Sequence, residues 1–281
     1  MRFASRFFEA NGIRLHAITA GDESRPLVIL LHGFPEFWYG WHKQIDPLAT
    51  RFYVVAPDQR GYNLSEKPAA IADYTLDVLA SDVVALARAC GRNRAFIVGH
   101  DWGGVIAWWT AAYYPETVER IVILNAPHPL AIRRLLRRSI GQLFRSWYAG
   151  FIQIPTIPEV LVQARDYAAL VSAMRRSSRP ETFTAGDFEQ YRRAWEQPGA
   201  LTSMMNYYRA FARRPQPGEG RLQAPTLILW GKKDVTLKPE LAKLSARYCG
   251  RAEVRYFPNA THWLQHEEPE AVNAAILEFF G

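Results

Sequence analysis

Cysteine is scarce, and Cys90 and Cys249 are the chain's two. They stand far apart, form no CxxC pair and have no histidine cluster beside them, which excludes a disulfide scaffold and makes a zinc site unexpected. The opening segment MRFASRFFEANGIRL lacks a signal peptide's apolar core and small-residue cleavage site, so the cytoplasm is the expected compartment. No apolar run is long enough to cross a bilayer, and no spanning helix is expected. There is no internal repeat and no low-complexity tract. A chain with 49% hydrophobic and 22% charged residues is neither disordered nor collagen-like. What is present is 281 residues, enough for one large domain or a domain carrying a big insertion.

Short apolar runs recur along the chain. Phe7 to Glu9 and Ile13 to Ile18 flank Asn11-Gly12, a strong hairpin signal because both residues tolerate positive φ. Leu27 to Leu31, Phe52 to Ala56, Ala95 to Val98, Ile121 to Leu124, Thr226 to Trp230 and Val254 to Phe257 read as strands buried on both faces. Helical patterns alternate with them at Leu76 to Cys90, Val105 to Tyr114, Pro239 to Tyr248 and Pro269 to Phe280. The alternation predicts an α/β fold with right-handed crossovers. It stops near Pro127 and resumes near Pro225. Residues 127–221 between them read as helices and loops, inserted into a domain formed by 1–126 and 222–281. Within the insertion Ile132, Leu135, Leu136, Ile140 and Leu143 fall on one helical face, with Arg133, Arg134, Arg137 and Arg138 on the other. Phe188 to Trp195 and Leu201 to Phe211 also read as helices.

The chemistry concentrates at strand ends. Gly99-His100-Asp101-Trp102-Gly103-Gly104 has the glycine spacing of a nucleophile elbow, with aspartate where serine is usual. A free aspartate has a pKa of about 3.9, so Asp101 is ionised without a base and suits attack on a tetrahedral carbon. Such attack leaves an ester on the enzyme, and its hydrolysis needs a base for water and an oxyanion hole. Asp234 lies in the loop after the Thr226 strand, and His262 follows the last strand. The order nucleophile, acid, histidine is that of α/β-hydrolases. His262 would take the proton from water and Asp234 would orient it. His266 is the rival histidine, but beside Glu267 and Glu268 it reads as a solvated loop or helix-start residue. In this fold the backbone amides after the first buried strand and after the nucleophile form the oxyanion hole, which predicts Phe34 and Trp102. Trp38, Trp41, Trp102, Trp147 and Phe34 suggest an aromatic-walled pocket, with Trp38 and Trp147 as substrate contacts.

Taken together, HGFPEFWYGW (32–41), DQRGYNLSEKP (58–68), GHDWGG (99–104), YYPE (113–116), the GKKD loop and THW (261–263) resemble the epoxide hydrolases of the α/β-hydrolase fold. The match spans nearly the whole chain outside the insertion. Asn63 stands where that family usually has glycine, a position asparagine tolerates. The resemblance implies a mostly parallel central sheet covered by helices on both faces, an inserted helical cap, and no metal or organic cofactor. It also implies two cap tyrosines that hold the epoxide oxygen. Met204-Met205-Asn206-Tyr207-Tyr208-Arg209 resembles the N-W-Y-R motif and maps one to Tyr208, with Tyr207 in place of tryptophan as the competing choice. The segment from Ser146 to Pro155 maps the other to Tyr148. A phenol with a pKa of about 10 can donate to the oxygen and protonate an alkoxide.

The expected activity is hydrolysis of an epoxide to a vicinal diol, with the epoxide and water as partners and a homodimer left open. The rivals are a haloalkane or haloacid dehalogenase using the same aspartate, and a non-catalytic binding protein. The formal charge is +7, and residues 127–221 hold 15 Lys+Arg against 7 Asp+Glu. The excess is therefore on the insertion. A solvated surface is the simplest account of it, and attraction of anionic substrates the sharper one. No nucleic-acid motif accompanies the charge.

Overall fold

The computed structural model describes residues 3–137, 139–145, 147–213 and 222–281, without the side chains of Ile140, Leu143 and Phe144. Eight strands form one sheet: β1 (Ala4–Ala10), β2 (Ile13–Ala20), β3 (Leu27–Leu31), β4 (Tyr53–Pro57), β5 (Ala95–His100), β6 (Val118–Leu124), β7 (Thr226–Gly231) and β8 (Ala252–Phe257). The spatial order is β1-β2-β4-β3-β5-β6-β7-β8. β1 and β2 form the expected hairpin, with Asn11 at φ 51° and Gly12 at φ 74° in the turn. β2 runs antiparallel to β4, and β3 through β8 are parallel with β4. Strands β3, β4 and β7 are buried at every residue, which their unbroken apolar runs require.

The helices are α1 (His42–Ala49), α2 (Leu76–Ala89), α3 (Trp102–Tyr113), α4 (Pro129–Leu136), α5 (Ile140–Arg145), α6 (Trp147–Phe151), α7 (Ile157–Ser177), α8 (Ala185–Trp195), α9 (Ala200–Arg213), α10 (Glu240–Ala246), α11 (Leu264–Glu267) and α12 (Pro269–Phe280). Helices α1 and α12 cover one face, packing Ile45, Leu48, Val272 and Ile276 against Val28, Leu30 and Val98. Helices α2 and α3 cover the other through Leu79, Val83, Ile106 and Ala107 against Leu27, Ile29 and Ile97. Each such fully buried aliphatic side chain contributes roughly 1.5–3 kcal/mol. The chain leaves β3 toward β4 on one side and returns to β5 on the other. The crevice at the carboxyl ends of β3 and β5 is thus a topological switch point, where ligands bind in open α/β sheets.

Helices α4 to α9 lie between β6 and β7. The single amphipathic helix expected over 132–143 is two: α4 ends at Leu136 and α5 begins at Ile140. Ser139 explains the break, because its hydroxyl accepts from the Gln142 amide at 3.3 Å, a helix-start bond that competes with continued helix. Arg138 and the side chains of Ile140 and Leu143, part of that pattern, lie outside the described residues. Long side chains with polar tips fasten the helices to the sheet domain. Tyr191 Oη donates to Glu36 at 2.8 Å, Trp195 Nε1 to the Pro35 carbonyl at 2.6 Å, and Tyr207 Oη to the Arg60 carbonyl at 2.8 Å.

Helix α3 starts close against β3. A Cβ on Gly103 would lie 2.1 Å from the Leu31 carbonyl oxygen, a backbone atom at the end of β3 that has no flexible side chain to move aside. Gly103→Ala should therefore cost at least about 2 kcal/mol of unfolding free energy, read from a urea midpoint. Native stability in that variant would mean that the helix does not approach β3 so closely.

Candidate active site

Asp101 sits on the turn from β5 into α3 at φ 49° and ψ −118°, a conformation that a non-glycine residue adopts only when its surroundings hold it there. Gly33 lets the turn fit, since a Cβ there would fall 2.4 Å from Asp101 Cβ. The Asp101 carboxylate does not cap α3. Its Oδ1 accepts from the Phe34 amide at 3.0 Å, and its Oδ2 faces His262 Nε2 at 3.5 Å. Trp102 opens α3, so its amide is one of the helix's first donors without an intrahelical acceptor. Burial opposes the charge on Asp101, but the His262 imidazole and the Phe34 amide outweigh it and lower the pKa.

Asp234 follows β7 and His262 follows β8. His262 Nδ1 lies 2.8 Å from Asp234 Oδ2. That oxygen also accepts from Asn125 Nδ2 at 2.7 Å. Asp234 Oδ1 accepts from the Thr236 amide and hydroxyl, both at 2.7 Å, and from the Leu237 amide at 2.9 Å. These donors and His262 lower the Asp234 pKa against its burial. Burial disfavours a charged His262, yet Asp234 and then Asp101 hold its pKa up to about 10. Asn125 was not foreseen. It ends β6 at φ 42° and also accepts from the Gly231 amide at 2.9 Å, so it joins β6, β7 and the acid in one contact.

A cavity of about 630 Å³ is lined by Asp101, His262, Phe34, Tyr148 and Tyr208 together with apolar residues of α6, α7 and α9. The Tyr148 and Tyr208 rings meet edge-on with centroids 5.9 Å apart. Burial, and with it the Asp101 charge, pushes both phenols above the ordinary tyrosine value. Tyr207 points the other way. It is fully buried against Tyr62 and Tyr74 and donates to the Arg60 carbonyl.

The expected aromatic wall is only partly present. Phe34 and Trp147 line the cavity, Trp147 while 67% exposed, and Trp102 stacks edge-on behind Tyr208 with centroids 4.9 Å apart. Trp38 and Trp41 do not line it. They begin and end a 3-10 turn, whose three-residue period sets both on one face, and that face packs into the core with Leu48 and Leu264. Ile152, Val162, Leu170, Met174 and Met205 supply much of the wall instead.

His266 is not a solvated residue, as its acidic neighbours suggested. It is buried, with Nε2 2.7 Å from Glu36 Oε1. Glu36, 1% exposed, also accepts from Tyr191 Oη at 2.8 Å and Gln265 Nε2 at 3.1 Å, and meets His100 Nδ1 at 3.1 Å. Burial would raise the Glu36 pKa, but the two imidazoles hold it far below the usual carboxylate range. His100 Nε2 lies 2.9 Å from the carbonyl of His262, so the network supports the backbone of the catalytic candidate. Glu36 and His100 both flank the motif residues, and the presence of an acid and a histidine beside the glycines was the available signal.

The raised His262 pKa has a consequence for stability. Between the unfolded value of about 6.5 and the folded value of about 10, the folded protein holds the proton that the unfolded chain releases. This contribution is full below about pH 6.5 and is lost as pH rises through about 10. Urea unfolding from pH 6 to 10.5 should show stability falling with pH in the native protein, with a flatter profile in His262→Gln. Matching profiles would mean that His262 is not charged in the folded state.

The alpha/beta hydrolase fold family matches residues 26–269. The chain is 42% identical over 98% of its length, and 96% of the relative's, to the AB hydrolase superfamily protein YfhM of Bacillus subtilis (strain 168). It is 36% identical to epoxide hydrolase 4 of Mus musculus over 96% of this chain and 77% of that one. The crystal structure of Bacillus megaterium epoxide hydrolase in complex with an inhibitor superposes with a TM-score of 0.89 and 33% identity, covering 98% of this chain and 99% of that one. Sheet order, the turn at Asp101 and relatives agree, and the chain belongs to the epoxide hydrolases of the alpha/beta hydrolase fold family.

Proposed function

We propose that this chain converts an epoxide to a vicinal diol through an ester on Asp101. The cavity that gathers Asp101, His262, Tyr148 and Tyr208 carries the reading. The phenols stay protonated, because burial and the Asp101 charge raise their pKa values, and they donate to the epoxide oxygen. Asp101 Oδ2, the oxygen not held by Phe34, attacks a ring carbon. The carbon–oxygen bond breaks and a phenol protonates the alkoxide. Esterification removes the Asp101 charge that helps to keep His262 protonated, so the imidazolium proton passes to the phenolate left by ring opening, which restores the phenol and makes the imidazole a base. It takes a proton from water, which adds to Asp101 Cγ. Oδ1 becomes the oxyanion, facing the Phe34 amide that already binds it and the Trp102 amide at the start of α3. Collapse breaks the Cγ–Oδ2 bond, the proton of the new acyl hydroxyl passes to the leaving oxygen, and the diol departs as the carboxylate is restored. Residues 127–221 act as the lid that completes the cavity and keeps bulk water from the ester.

Halide release by the same aspartate is less well supported. It has no use for paired phenols, and the Trp102 ring is packed edge-on against Tyr207, Tyr208 and Phe211.

In a single turnover of styrene oxide in heavy-oxygen water, label should enter Asp101 while the diol stays unlabelled. Label in the diol alone would replace the ester with direct attack by water. His262→Gln should accumulate an adduct of substrate mass in intact-protein mass spectrometry. Tyr208→Phe should lower kcat by roughly tenfold to a hundredfold, less than the full effect of a general acid because Tyr148 still donates. Unchanged ring opening in that variant would remove Tyr208 from the mechanism.

A further inference from the structure

The cavity holds more charge than the chemistry uses. Beyond Asp101 and His262, its lining among the described residues includes Arg145 and Arg176 and no further carboxylate. The two arginines come from different parts of the insertion, α5 and the last turn of α7. Four other arginines of the insertion are matched with acids: Arg209 with Glu159, Arg192 with Asp166, Arg193 with Glu189, and Arg179 with Glu267 and Glu268. Arg133, Arg134, Arg137, Arg165, Arg175 and Arg213 are exposed and do not line this cavity. Arg145 instead spends one donor on the Asp234 carbonyl at 3.1 Å. Among the described residues no carboxylate pairs with Arg145 or Arg176, so the forks of both guanidinium groups keep donors for a ligand.

We infer that Arg145 and Arg176 form an anion subsite, and that the preferred epoxide carries a carboxylate or a similar anionic group. The inference rests on the epoxide-hydrolase reading for its chemistry. An anionic substrate entering this cavity meets Asp101, whose charge would repel it. Two guanidinium groups on the wall offset that repulsion and fix which end of the substrate faces the nucleophile. The apolar part of the wall, which includes Ile152, Leu170 and Met174, takes the body of the molecule. Arg145 is half-buried, where a charge-assisted hydrogen bond is least screened, whereas Arg176 is exposed and suits capture of the anion at the mouth.

The test compares 4-carboxystyrene oxide with its neutral 4-carbamoyl isostere. A hydrogen-bonded charge pair predicts a kcat/KM preference of at least about tenfold for the carboxylate. Added salt should erode that preference by slowing the anion more than the isostere. Arg145→Gln and Arg176→Gln should each reduce the ratio between the two substrates, whatever happens to the absolute rates. Calorimetry with the two corresponding diols reads the subsite without catalysis, and the carboxylate diol should bind more tightly. A native ratio near one, or a ratio that neither substitution moves, overturns the subsite while epoxide turnover itself stands. Tighter binding of the carboxylate diol with no turnover of either epoxide supports the subsite and overturns the activity.

Discussion

Two carboxylates, one fully buried and one at the cavity wall, share one imidazole here, and most of the architecture around the site exists to make that arrangement tolerable. Asp101 and Asp234 face opposite nitrogens of His262; Asp234 is fully buried, and Asp101 is open only to the cavity it lines. In a low-dielectric site an uncompensated carboxylate becomes protonated or destabilises the fold by several kcal/mol. Compensation comes from donors on separate strand ends. Phe34 after β3 serves Asp101, while Asn125 after β6 and Thr236 and Leu237 after β7 serve Asp234. A parallel sheet supplies these donors together because its carboxyl ends all open on one side. The left-handed backbone at Asp101 and Asn125 is the local cost of aiming both side chains there.

A second buried charge cluster lies directly behind the first. Glu36 is held by His100, His266, Gln265 and Tyr191, and His100 reaches on to the His262 carbonyl. Asp234 therefore orients the His262 ring, while the Glu36 cluster steadies its backbone. The same cluster seats the insertion, since Tyr191 comes from α8 and its neighbour Trp195 binds the Pro35 carbonyl. The position of α8 and that of His262 thus depend on shared contacts. Loss of the Glu36 charge would loosen both at once, because breaking a buried ion pair leaves the remaining partners unsatisfied.

Much of this was legible in the sequence where the signal was local. The apolar runs gave the buried strands, Asn11-Gly12 the hairpin, and the glycines around Asp101 the elbow, because each is a rule about neighbours along the chain. Asn63, read as tolerant of left-handed backbone, adopts φ 39°. What was not legible depended on rotation about an axis. Tyr207 and Tyr208 are adjacent on α9 and therefore about 100° apart around it. Motif comparison pointed to Tyr208, and only the packing of α9 on Tyr62 and Tyr74 shows why its neighbour turns inward to the core. Trp38 and Trp41 went astray for the same reason, on a turn whose facing the sequence does not state. His266 was misjudged because its buried partner, Glu36, is 230 positions away in the chain.

The charge on the insertion shows the same limit from another side. As a sum over residues 127–221 it is a property of composition, equally compatible with a solvated surface and with a device for anions. The structure divides that sum by partner. Arg209, bonded to Glu159 and to the carbonyls of Ile152 and Ile154, holds α7 and α9 together and contributes little field beyond its own contacts. Arg179 fastens the loop after α7 to Glu267 and Glu268, at the end of α11. A guanidinium matched to an acid at contact distance is electrically a dipole, and a dipole's reach falls off faster than that of a charge. The field inside the cavity is thus set more by Arg145 and Arg176, which line it without a carboxylate partner among the described residues, than by the total over residues 127–221.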